Sequence, residues 1–391
     1  MAFFLAIFLV LMIVYAVIID GYRRSWNQIA LSKNSKADPA SHVSVVIALR
    51  NESLNVDTLL DCLSLQQYPD DLVEFILVDD FSTDDTADKI RQYKGKAARQ
   101  LVFVSLKEEF GSETNIQAHK KRAIEAGIKK SKGTIIVTTD ADCRFGPEWL
   151  KVLISYFEEK QAGFVAAPVK ISPAQGFLGI FQALDFMSLQ GITGAVVSTN
   201  KMTMCNGANL VYSKQAFMEV NGFEGIDHIA SGDDMLLMYK IYQKYPDRVF
   251  YLKDSSVIVE TDPVKTWRGF FQQRIRWASK ADRYDDKRIF KVLLLVYAIN
   301  ICYLILGIGS FFNSTWFFFF LLLLIAKTLI EFPFVNAVSI FFQQQSLMKY
   351  FVFLQPVHIV YTIIAGWLGK FGSFEWKGRV IKTNSPKDAR G

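Results

Sequence analysis

Residues 134–142 read TIIVTTDAD. The first six are apolar or β-branched, which is typical of a strand buried inside a parallel sheet. Asp140 and Asp142 follow directly, so two carboxylates stand at the carboxyl end of the predicted strand. Carboxylate oxygens are ligands that Mg²⁺ and Mn²⁺ accept in proteins. The stretch predicts a site for a divalent metal and a diphosphate, although two surface aspartates in a turn would give the same pattern.

Similar apolar runs recur along the chain, separated by helical patterns. The predicted strands are residues 43–49, 75–78, 101–106 and 135–139, and the predicted helices are residues 53–67, 84–94, 115–130 and 147–159. This alternation predicts right-handed crossovers and a mostly parallel sheet with flanking helices, which is an α/β fold. Ligands of such sheets bind beyond the carboxyl ends of the strands. Asn51, Asp80 and Asp142 follow three of these ends and are expected to converge on one crevice.

The sequence argues against several functional classes of protein. After the first strand, residues 48–53 read ALRNES instead of a G-x-G-x-x-G turn or a P-loop, which argues against a dehydrogenase or an ATPase. The four cysteines form no C-x-x-C pair and the four histidines do not cluster, which argues against a zinc site or a disulfide framework. The net charge of +6 comes without a basic patch interleaved with aromatic residues, so membrane lipids are expected as partners and nucleic acid is not.

Both ends of the chain carry apolar segments. Residues 3–19 are uncharged and long enough to cross a hydrocarbon core, and the absence of a basic start favours an anchor over a signal peptide. Further spans are expected near residues 290–312, 315–335 and 350–369. The predicted organisation therefore consists of four parts: an anchor at 1–20, an α/β domain at 40–285, membrane helices at 290–370 and a basic tail at 371–391.

The basic residues predict the orientation of these segments. Arg23 and Arg24 follow the first apolar run, so the α/β domain is expected on the cytoplasmic side of the inner membrane, in a multi-pass protein. Three crossing segments after residue 290 would leave the basic tail outside. One of the three is therefore expected to be interfacial or re-entrant.

Two further motifs follow the strand-end aspartates. Asp233 and Asp234 form an acidic pair ahead of a predicted helix, suited either to general-base chemistry or to capping that helix. Residues 273–277 read QRIRW, and a spacing of three and four places Gln273, Arg276 and Trp277 on one helical face. An arginine can bind a diphosphate and an indole can stack on a sugar, while an amphipathic helix at a membrane surface is the structural alternative.

In order and spacing, these motifs resemble those of the membrane-bound family-2 glycosyltransferases, the class that contains cellulose, chitin, hyaluronan and poly-N-acetylglucosamine synthases. The resemblance extends from about Val43 to Lys280 and the flanking membrane segments. It implies a GT-A type sheet, with N- and C-terminal transmembrane helices, and inverting transfer of a sugar from a nucleotide-sugar. UDP is the expected nucleotide and Mg²⁺ or Mn²⁺ the expected cofactor. The acidic pair departs from the usual Glu-Asp of the family because Asp233 stands in place of the glutamate.

The resemblance also implies roles for individual residues. Asp234 would be the catalytic base, and Asp140 with Asp142 would hold the metal. The residues expected to bind the nucleotide-sugar are Asn51, Glu52, Asp79, Asp80, Lys120, Asp140 and Arg276. Those expected to bind the acceptor are Asn206, Gly207, Asp233, Gln273 and Trp277.

The acceptor remains open between a growing polysaccharide and a lipid carrier that receives a single sugar. A catalytically silent scaffold of a polysaccharide export complex is the alternative from another class, and export or accessory subunits would then be partners. Loss of a metal or base carboxylate would be its hallmark, and all of them are present. Nucleotidyl transfer to a lipid phosphate could use the same sheet and metal, but it gives no reason for the QRIRW motif.

Overall fold

The computed structural model describes residues 1–32, 39–94, 99–111, 118–229, 232–280, 286–376 and 379–382. They divide into two compact units. The sheet unit comprises residues 29–172 and 203–262, and the helical unit comprises residues 1–28, 173–202 and 263–391. Residues 115–117 of the third predicted helix and 383–391 of the predicted tail lie outside the described residues.

The sheet unit contains the predicted strands and helices. Its strands are β1 (Val43–Leu49), β2 (Val73–Asp79), β3 (Gln100–Ser105), β4 (Ile135–Thr138), β5 (Cys143–Arg144), β6 (Phe164–Ala166), β7 (Val169–Ile171), β8 (Leu210–Ser213), β9 (Val249–Tyr251) and β10 (Val259–Thr261). Its helices are α2 (Val56–Ser64), α3 (Thr86–Lys94), α4 (Leu106–Phe110), α5 (His119–Lys130), α6 (Trp149–Glu159), α8 (Lys214–Glu219) and α9 (Met235–Lys244), with 3₁₀ turns at Pro246–Arg248 and Ser255–Val257.

Seven of these strands form one sheet in the order β3-β2-β1-β4-β8-β6-β9. Only β8 runs against its neighbours, so the sheet is mostly parallel. The chain moves outward from β1 to β3 and then returns to place β4 on the other side of β1. This reversal opens a crevice at the carboxyl ends of β1 and β4, where ligands of open α/β sheets bind. A second sheet has the order β5-β10-β7.

Helix α5 lies unusually close to the sheet. A Cβ atom at Gly127 would lie 2.5 Å from Cγ1 of Val46 and 3.0 Å from Cγ2 of Val78, so only glycine allows this approach. The small residues of this helix therefore have a packing role. As a result, the first turn of α5 lies beside the ends of β1 and β2.

The helical unit contains the apolar segments. Its elements are α1 (Ala2–Gln28), α7 (Gly176–Val197), α10 (Trp267–Ala278), α11 (Lys287–Gly309), α12 (Ser314–Phe341), a 3₁₀ turn (Gln345–Tyr350), α13 (Phe351–Phe371), β11 (Ser373–Trp376) and β12 (Arg379–Lys382). Among the described residues, five helical segments are long and apolar enough to cross a membrane: α1, α7, α11, α12 and α13 with its preceding turn. Helix α7 lies inside the stretch 40–285 that the sequence predicts as one α/β domain. The structure instead groups α7 and α10 with the apolar helices, because their buried faces pack on those helices.

Helices α1, α11 and α12 lie side by side. The ring of Phe4 lies 6.0 Å from that of Trp316, and the ring of Trp26 lies 5.4 Å from that of Phe341, so α1 and α12 run in the same direction. Phe8, near the start of α1, contacts Tyr303, near the end of α11, so α11 runs the opposite way. Apolar side chains cover the outer faces of these helices, as a lipid-facing surface requires.

Helix α13 begins and ends on one side of this bundle. It starts shortly after α12 ends, and it finishes against α10, where a Cβ at Gly369 would lie 2.6 Å from that of Ala278. Strand β11 follows and is tied to the same helix, since the backbone N–H of Glu375 donates to Oε1 of Gln272 at 2.7 Å. Helix α10 directly precedes α11, which starts at the end of the bundle where α12 finishes. This path is compatible with the expectation that one of the C-terminal apolar segments does not cross, and it selects α13 as the candidate.

The path of α13 predicts which sites face the same side of a membrane. In a background with the four native cysteines replaced by serine, Arg268→Cys and Glu375→Cys should react with a membrane-impermeant maleimide from one side. Phe312→Cys, in the exposed turn between α11 and α12, should react from the other. Labelling is measured in intact cells and in inverted membrane vesicles. Reaction of Glu375→Cys from the side of Phe312→Cys would show that α13 crosses.

Candidate active site

The carboxyl end of β2 carries the first pair of predicted site residues. The backbone N–H of Asp80 donates to the carbonyl of Leu49 at 2.8 Å, which extends the β1–β2 pairing by one residue. Nδ1 of His119 lies 3.2 Å from Oδ1 of Asp80, and both side chains are buried. Burial raises the pKa of the Asp79 carboxyl, although Ser82 opposes this by donating its backbone N–H at 3.3 Å. Both aspartates therefore lie at the crevice, and Asp80 is fixed by α5.

The turn after β1 places Asn51 and Glu52 differently. Asn51 has a positive φ of 52°, and its Oδ1 accepts from the backbone N–H of Thr83 at 2.8 Å. Glu52 is buried and accepts from Nδ2 of Asn55 at 2.7 Å. The two side chains thus hold this turn against the turn after β2 and against the start of α2. Asn51 is exposed at the crevice, whereas the contacts of Glu52 are those of a structural residue.

Lys120 is the centre of the site. Its Nζ lies 2.6 Å from Oδ1 of Asp140 and 3.2 Å from Oδ2 of Asp233. Burial works to lower the pKa of this ammonium, but the carboxylates of Asp140, Asp233 and Asp234 outweigh it and raise the pKa above its ordinary value. The lysine therefore stays charged and joins the turn after β4 to the acidic pair ahead of α9.

Asp234 is the N-cap of α9, as one of the two sequence interpretations proposed. Its Oδ1 accepts from the backbone N–H of Met235 at 2.7 Å, and its Oδ2 accepts from the backbone N–H of Gly207 at 3.1 Å. Each carboxylate oxygen can accept two hydrogen bonds, so each keeps acceptor capacity. Capping and base chemistry are therefore compatible here, and the two backbone donors fix the orientation of the carboxylate.

The segment before β8 approaches this cluster closely. A Cβ atom at Gly207 would lie 3.2 Å from Nζ of Lys120 and 3.4 Å from Oδ2 of Asp233. A larger residue would press on the ion pairs and make these two side chains shift by a few tenths of an ångström. Oδ1 of Asn206 accepts from the backbone N–H of Ala208 at 3.0 Å and shapes the same turn. Both residues predicted for the acceptor thus adjoin the cluster.

The chemistry of Asp140 and Asp142 fits a divalent metal. Asp140 is half-buried and Asp142 is exposed, in the turn that joins β4 to β5. Within the described ranges, no group of three or more His, Cys, Asp or Glu side chains could hold a metal. Mg²⁺ commonly uses one or two carboxylates and takes its other ligands from water and substrate phosphates. Two oxygen donors at the crevice therefore suit a metal whose coordination a diphosphate completes.

The QRIRW motif lies on α10 of the helical unit. Gln273, Arg276 and Trp277 are half-buried, whereas Arg274 and Ile275 are buried, and Arg274 is the buried charge of the motif at 3% exposure. Arg274 lies 2.6 Å from Asp185 of α7. The sequence assigned no role to either residue. The available signal was a lone acidic residue in the apolar stretch 176–197, because a charge in such a stretch requires a partner.

Two family models match the chain. The model of glycosyl transferase family 2 matches residues 44–220, and the model of glycosyl transferase family group 2 matches residues 135–369. The chain belongs to the family-2 glycosyltransferases. The matched residues include the strand-end aspartates, the acidic pair and the QRIRW motif, so the resemblance predicted from those motifs is confirmed.

Individual relatives are more distant. The chain is 27% identical over 263 residues to the poly-beta-1,6-N-acetyl-D-glucosamine synthase of Staphylococcus epidermidis, which covers 65% of this chain and 58% of that protein. It is 31% identical over 122 residues to the undecaprenyl-phosphate 4-deoxy-4-formamido-L-arabinose transferase of Pseudomonas savastanoi pv. phaseolicola, covering 31% of this chain and 34% of that protein. The chain spans about half the length of the curated relatives that it matches first.

A solved structure shares the fold. The mannosyltransferase PcManGT from Pyrobaculum calidifontis, in complex with GDP-Man and Mn²⁺, superposes with a TM-score of 0.59 at 17% identity. The match covers 94% of this chain and 97% of that one. The GT-A type fold, with a mostly parallel sheet, flanking helices and apolar helices at both ends, is therefore confirmed.

The ion pairs of Lys120 predict a loss of stability on substitution. Lys120→Met should lower the free energy of unfolding by on the order of 1–2 kcal/mol at neutral pH, because three carboxylates lose their shared cation in a partly exposed site. Melting temperatures of the purified full chain measure this. Lys129→Met, at a largely exposed position of the same helix, is the matched control and should match the wild type.

Proposed function

We propose that the protein transfers a sugar, with inversion, from a UDP-sugar to a polysaccharide or lipid-linked acceptor at the cytoplasmic face of the inner membrane. The observation that carries the proposal is the convergence of Lys120, Asp140, Asp233 and Asp234 at the crevice of the sheet. A cation that is shared between a metal-binding turn and a general-base candidate suits the departure of an anionic leaving group. Membership of the family supports a glycosyl donor.

The donor would occupy the crevice between β1 and β4. In this proposal Asp79 and Asp80, at the end of β2, contact the nucleobase, and Asn51 borders the same edge. The exposed carboxylate of Asp142 and the half-buried one of Asp140 would hold Mg²⁺ or Mn²⁺, which when bound neutralises charge on a diphosphate. Lys120 reaches the same region with a permanent positive charge. The electrostatic role of Arg276, on α10 of the helical unit, is proposed from the family resemblance alone.

Asp234 acts as the base in this scheme. Its carboxylate accepts the proton of the acceptor hydroxyl as the oxygen attacks the anomeric carbon. One bond forms between that oxygen and the carbon, while the bond from the carbon to the diphosphate oxygen breaks on the opposite face. The electron pair leaves with the nucleoside diphosphate, and the configuration inverts. The hydrogen bonds from Met235 and Gly207 orient the base for this transfer.

We assign recognition of the acceptor to Asn206, Gly207 and Asp233 in the sheet unit. For Gln273 and Trp277 on α10 of the helical unit, contact with the acceptor is proposed from the family resemblance of the QRIRW motif alone. The sequence leaves two types of acceptor open, and each appears in the name of one relative: a poly-N-acetylglucosamine chain and an undecaprenyl phosphate. One observation favours the lipid-linked acceptor. A channel for a polymer would need open space between α1, α12 and α13. That space is occupied by hydrogen-bonded and ion-paired side chains, those of Tyr15, Lys327, Glu331 and Gln355.

The base assignment predicts a specific kinetic defect. Asp234→Asn should lower kcat by roughly 10²- to 10⁴-fold, because proton removal from the hydroxyl loses its acceptor. Asparagine is also a good N-cap, so the melting temperature should stay near that of the wild type. Steady-state kinetics and melting curves measure the two effects.

Asp227→Asn is the matched control, because this largely exposed aspartate lies in the same loop. It should keep wild-type turnover. Unchanged turnover of a folded Asp234→Asn variant would remove Asp234 from the mechanism.

The donor and the metal are tested together. Purified full chain is given a panel of UDP-sugars with undecaprenyl phosphate or an N-acetylglucosamine oligosaccharide, in Mn²⁺, in Mg²⁺ or in excess chelator. We expect UDP release with one sugar, and its loss on chelation. Release that persists in chelator would contradict the metal. If no UDP-sugar releases UDP but a GDP- or dTDP-sugar releases its nucleoside diphosphate, UDP is not the nucleotide.

A further inference from the structure

One arginine of the QRIRW motif is buried, whereas the other polar residues of the motif are half-buried. Arg274 is 3% exposed, on a helix whose buried face also includes Phe270 and Ile275. Gln273 and Trp277 flank it on α10 and stay half-buried. A permanently charged guanidinium is costly to bury unless it is paired, so its partners indicate why it is there.

The partner of the charge is Asp185, in the middle of the apolar helix α7. Nη2 of Arg274 lies 2.6 Å from Oδ2 of Asp185, and both side chains are almost fully buried. The hydroxyl of Tyr361 on α13 donates to Oδ1 of the same aspartate at 2.5 Å. His358 of α13 lies at the edge of the cluster, 3.9 Å from that oxygen. One carboxylate thus fixes the guanidinium and ties α7, α10 and α13 together.

The same guanidinium contacts the two neighbouring motif residues. Its Cζ lies 4.1 Å from the centroid of the Trp277 ring, a cation–π contact, and 4.8 Å from that of Phe270. Nη1 of Arg274 donates to Oε1 of Gln273 at 3.3 Å. The spacing of four residues already places Gln273 and Trp277 on one helical face, and the guanidinium of Arg274 contacts both side chains there.

Stability alone gives little reason to keep such a pair. Replacing a buried ion pair by apolar residues of similar volume is often neutral or stabilising, whereas removing one partner is costly. An arginine is also the cation that can pair with a carboxylate, stack on a ring and donate to an amide at the same time. The combination of contacts points to control of orientation.

We propose that Arg274, held by Asp185, is a positioning residue that sets the side-chain orientations of Gln273 and Trp277 for the acceptor. The part of this inference that concerns the acceptor rests on the proposed function. The part that concerns orientation does not, because it can be measured in the absence of any substrate.

The experiment compares single and paired substitutions in the full-length chain. Arg274→Met and Asp185→Leu alone should each lower the melting temperature, by on the order of 5–10 °C, because each leaves a buried charge unpaired. The double variant removes both charges and should recover most of that loss. If Arg274 only stabilises the fold, the double variant should also show a wild-type orientation of Trp277 and a wild-type KM for the acceptor.

Trp277 reports orientation directly. The chain has seven tryptophans, which can be labelled with 5-fluorotryptophan, and Trp277→Phe identifies the ¹⁹F resonance of Trp277. We expect this resonance to be broadened or split in the double variant, because the indole samples several rotamers without the guanidinium. A single sharp resonance, merely displaced, would overturn the proposal. Arg268→Met, an exposed position of the same helix, should leave the resonance unchanged.

Kinetics supply the second readout. With the UDP-sugar identified by the panel, and undecaprenyl phosphate or an N-acetylglucosamine oligosaccharide as acceptor, the double variant should raise the acceptor KM about tenfold, the size expected for one lost cation–π contact and one lost hydrogen bond. The KM of the donor should not change. A wild-type acceptor KM would overturn the proposal.

Two further outcomes are informative. If the double variant does not recover its melting temperature, Arg274→Lys takes its place: it keeps the charge for Asp185 but lacks the planar group, and the same broadened resonance is expected. If the wild type transfers to neither acceptor, the proposed function fails. The ¹⁹F spectrum then still decides whether Arg274 positions Trp277.

Discussion

The sharing of one ammonium among several carboxylates is the interaction on which the rest of the site depends. Carboxylates at the ends of neighbouring strands and at a helix N-terminus repel one another when they converge. Lys120 makes their convergence possible, and its position depends on the close packing of α5 on the sheet. That packing depends in turn on Gly127, where any side chain would collide with β1. A backbone constraint in a helix thereby determines where charge can be concentrated in the crevice.

Three consecutive residues of α5 contact three different parts of the sheet unit. His119 reaches Asp80 after β2, and Lys120 reaches Asp140 after β4. Lys121 is buried and donates to the carbonyls of Ile226 and Ile229 at 2.7 Å each, in the loop that leads toward the acidic pair. Successive helical side chains diverge, so one turn of helix can brace segments that are far apart in sequence. The first turn of α5 therefore organises the site more than any single motif does.

How far the sequence predicts this protein depends on whether the signal is local. The strand ends were predictable because periodicity and composition indicate a buried strand. Polar residues that directly follow such a strand lie at the edge of the sheet where ligands bind. Thus Asp80 and Asp140 lie where the pattern placed them. The hydrogen bond between Glu52 and Asn55 was not predictable, since it depends on a turn conformation that no periodicity encodes. The ion pair of Arg274 with Asp185 spans 89 positions and joins two helices, and only the folded chain brings them together.

The ion-paired cations Lys120 and Arg274 differ in how accessible their partners are. The side chain of Lys120 is 23% exposed and that of its partner Asp140 is 36% exposed, so an incoming anion or metal can compete for either. Arg274 and Asp185 are 3% and 4% exposed, and no substrate can reach them without unpacking α7 and α10. The same type of ion pair therefore suits chemistry in the first case and orientation in the second. Within QRIRW, exposure separates Arg274, which is proposed to act through its neighbours, from Gln273 and Trp277, which are proposed to contact the acceptor.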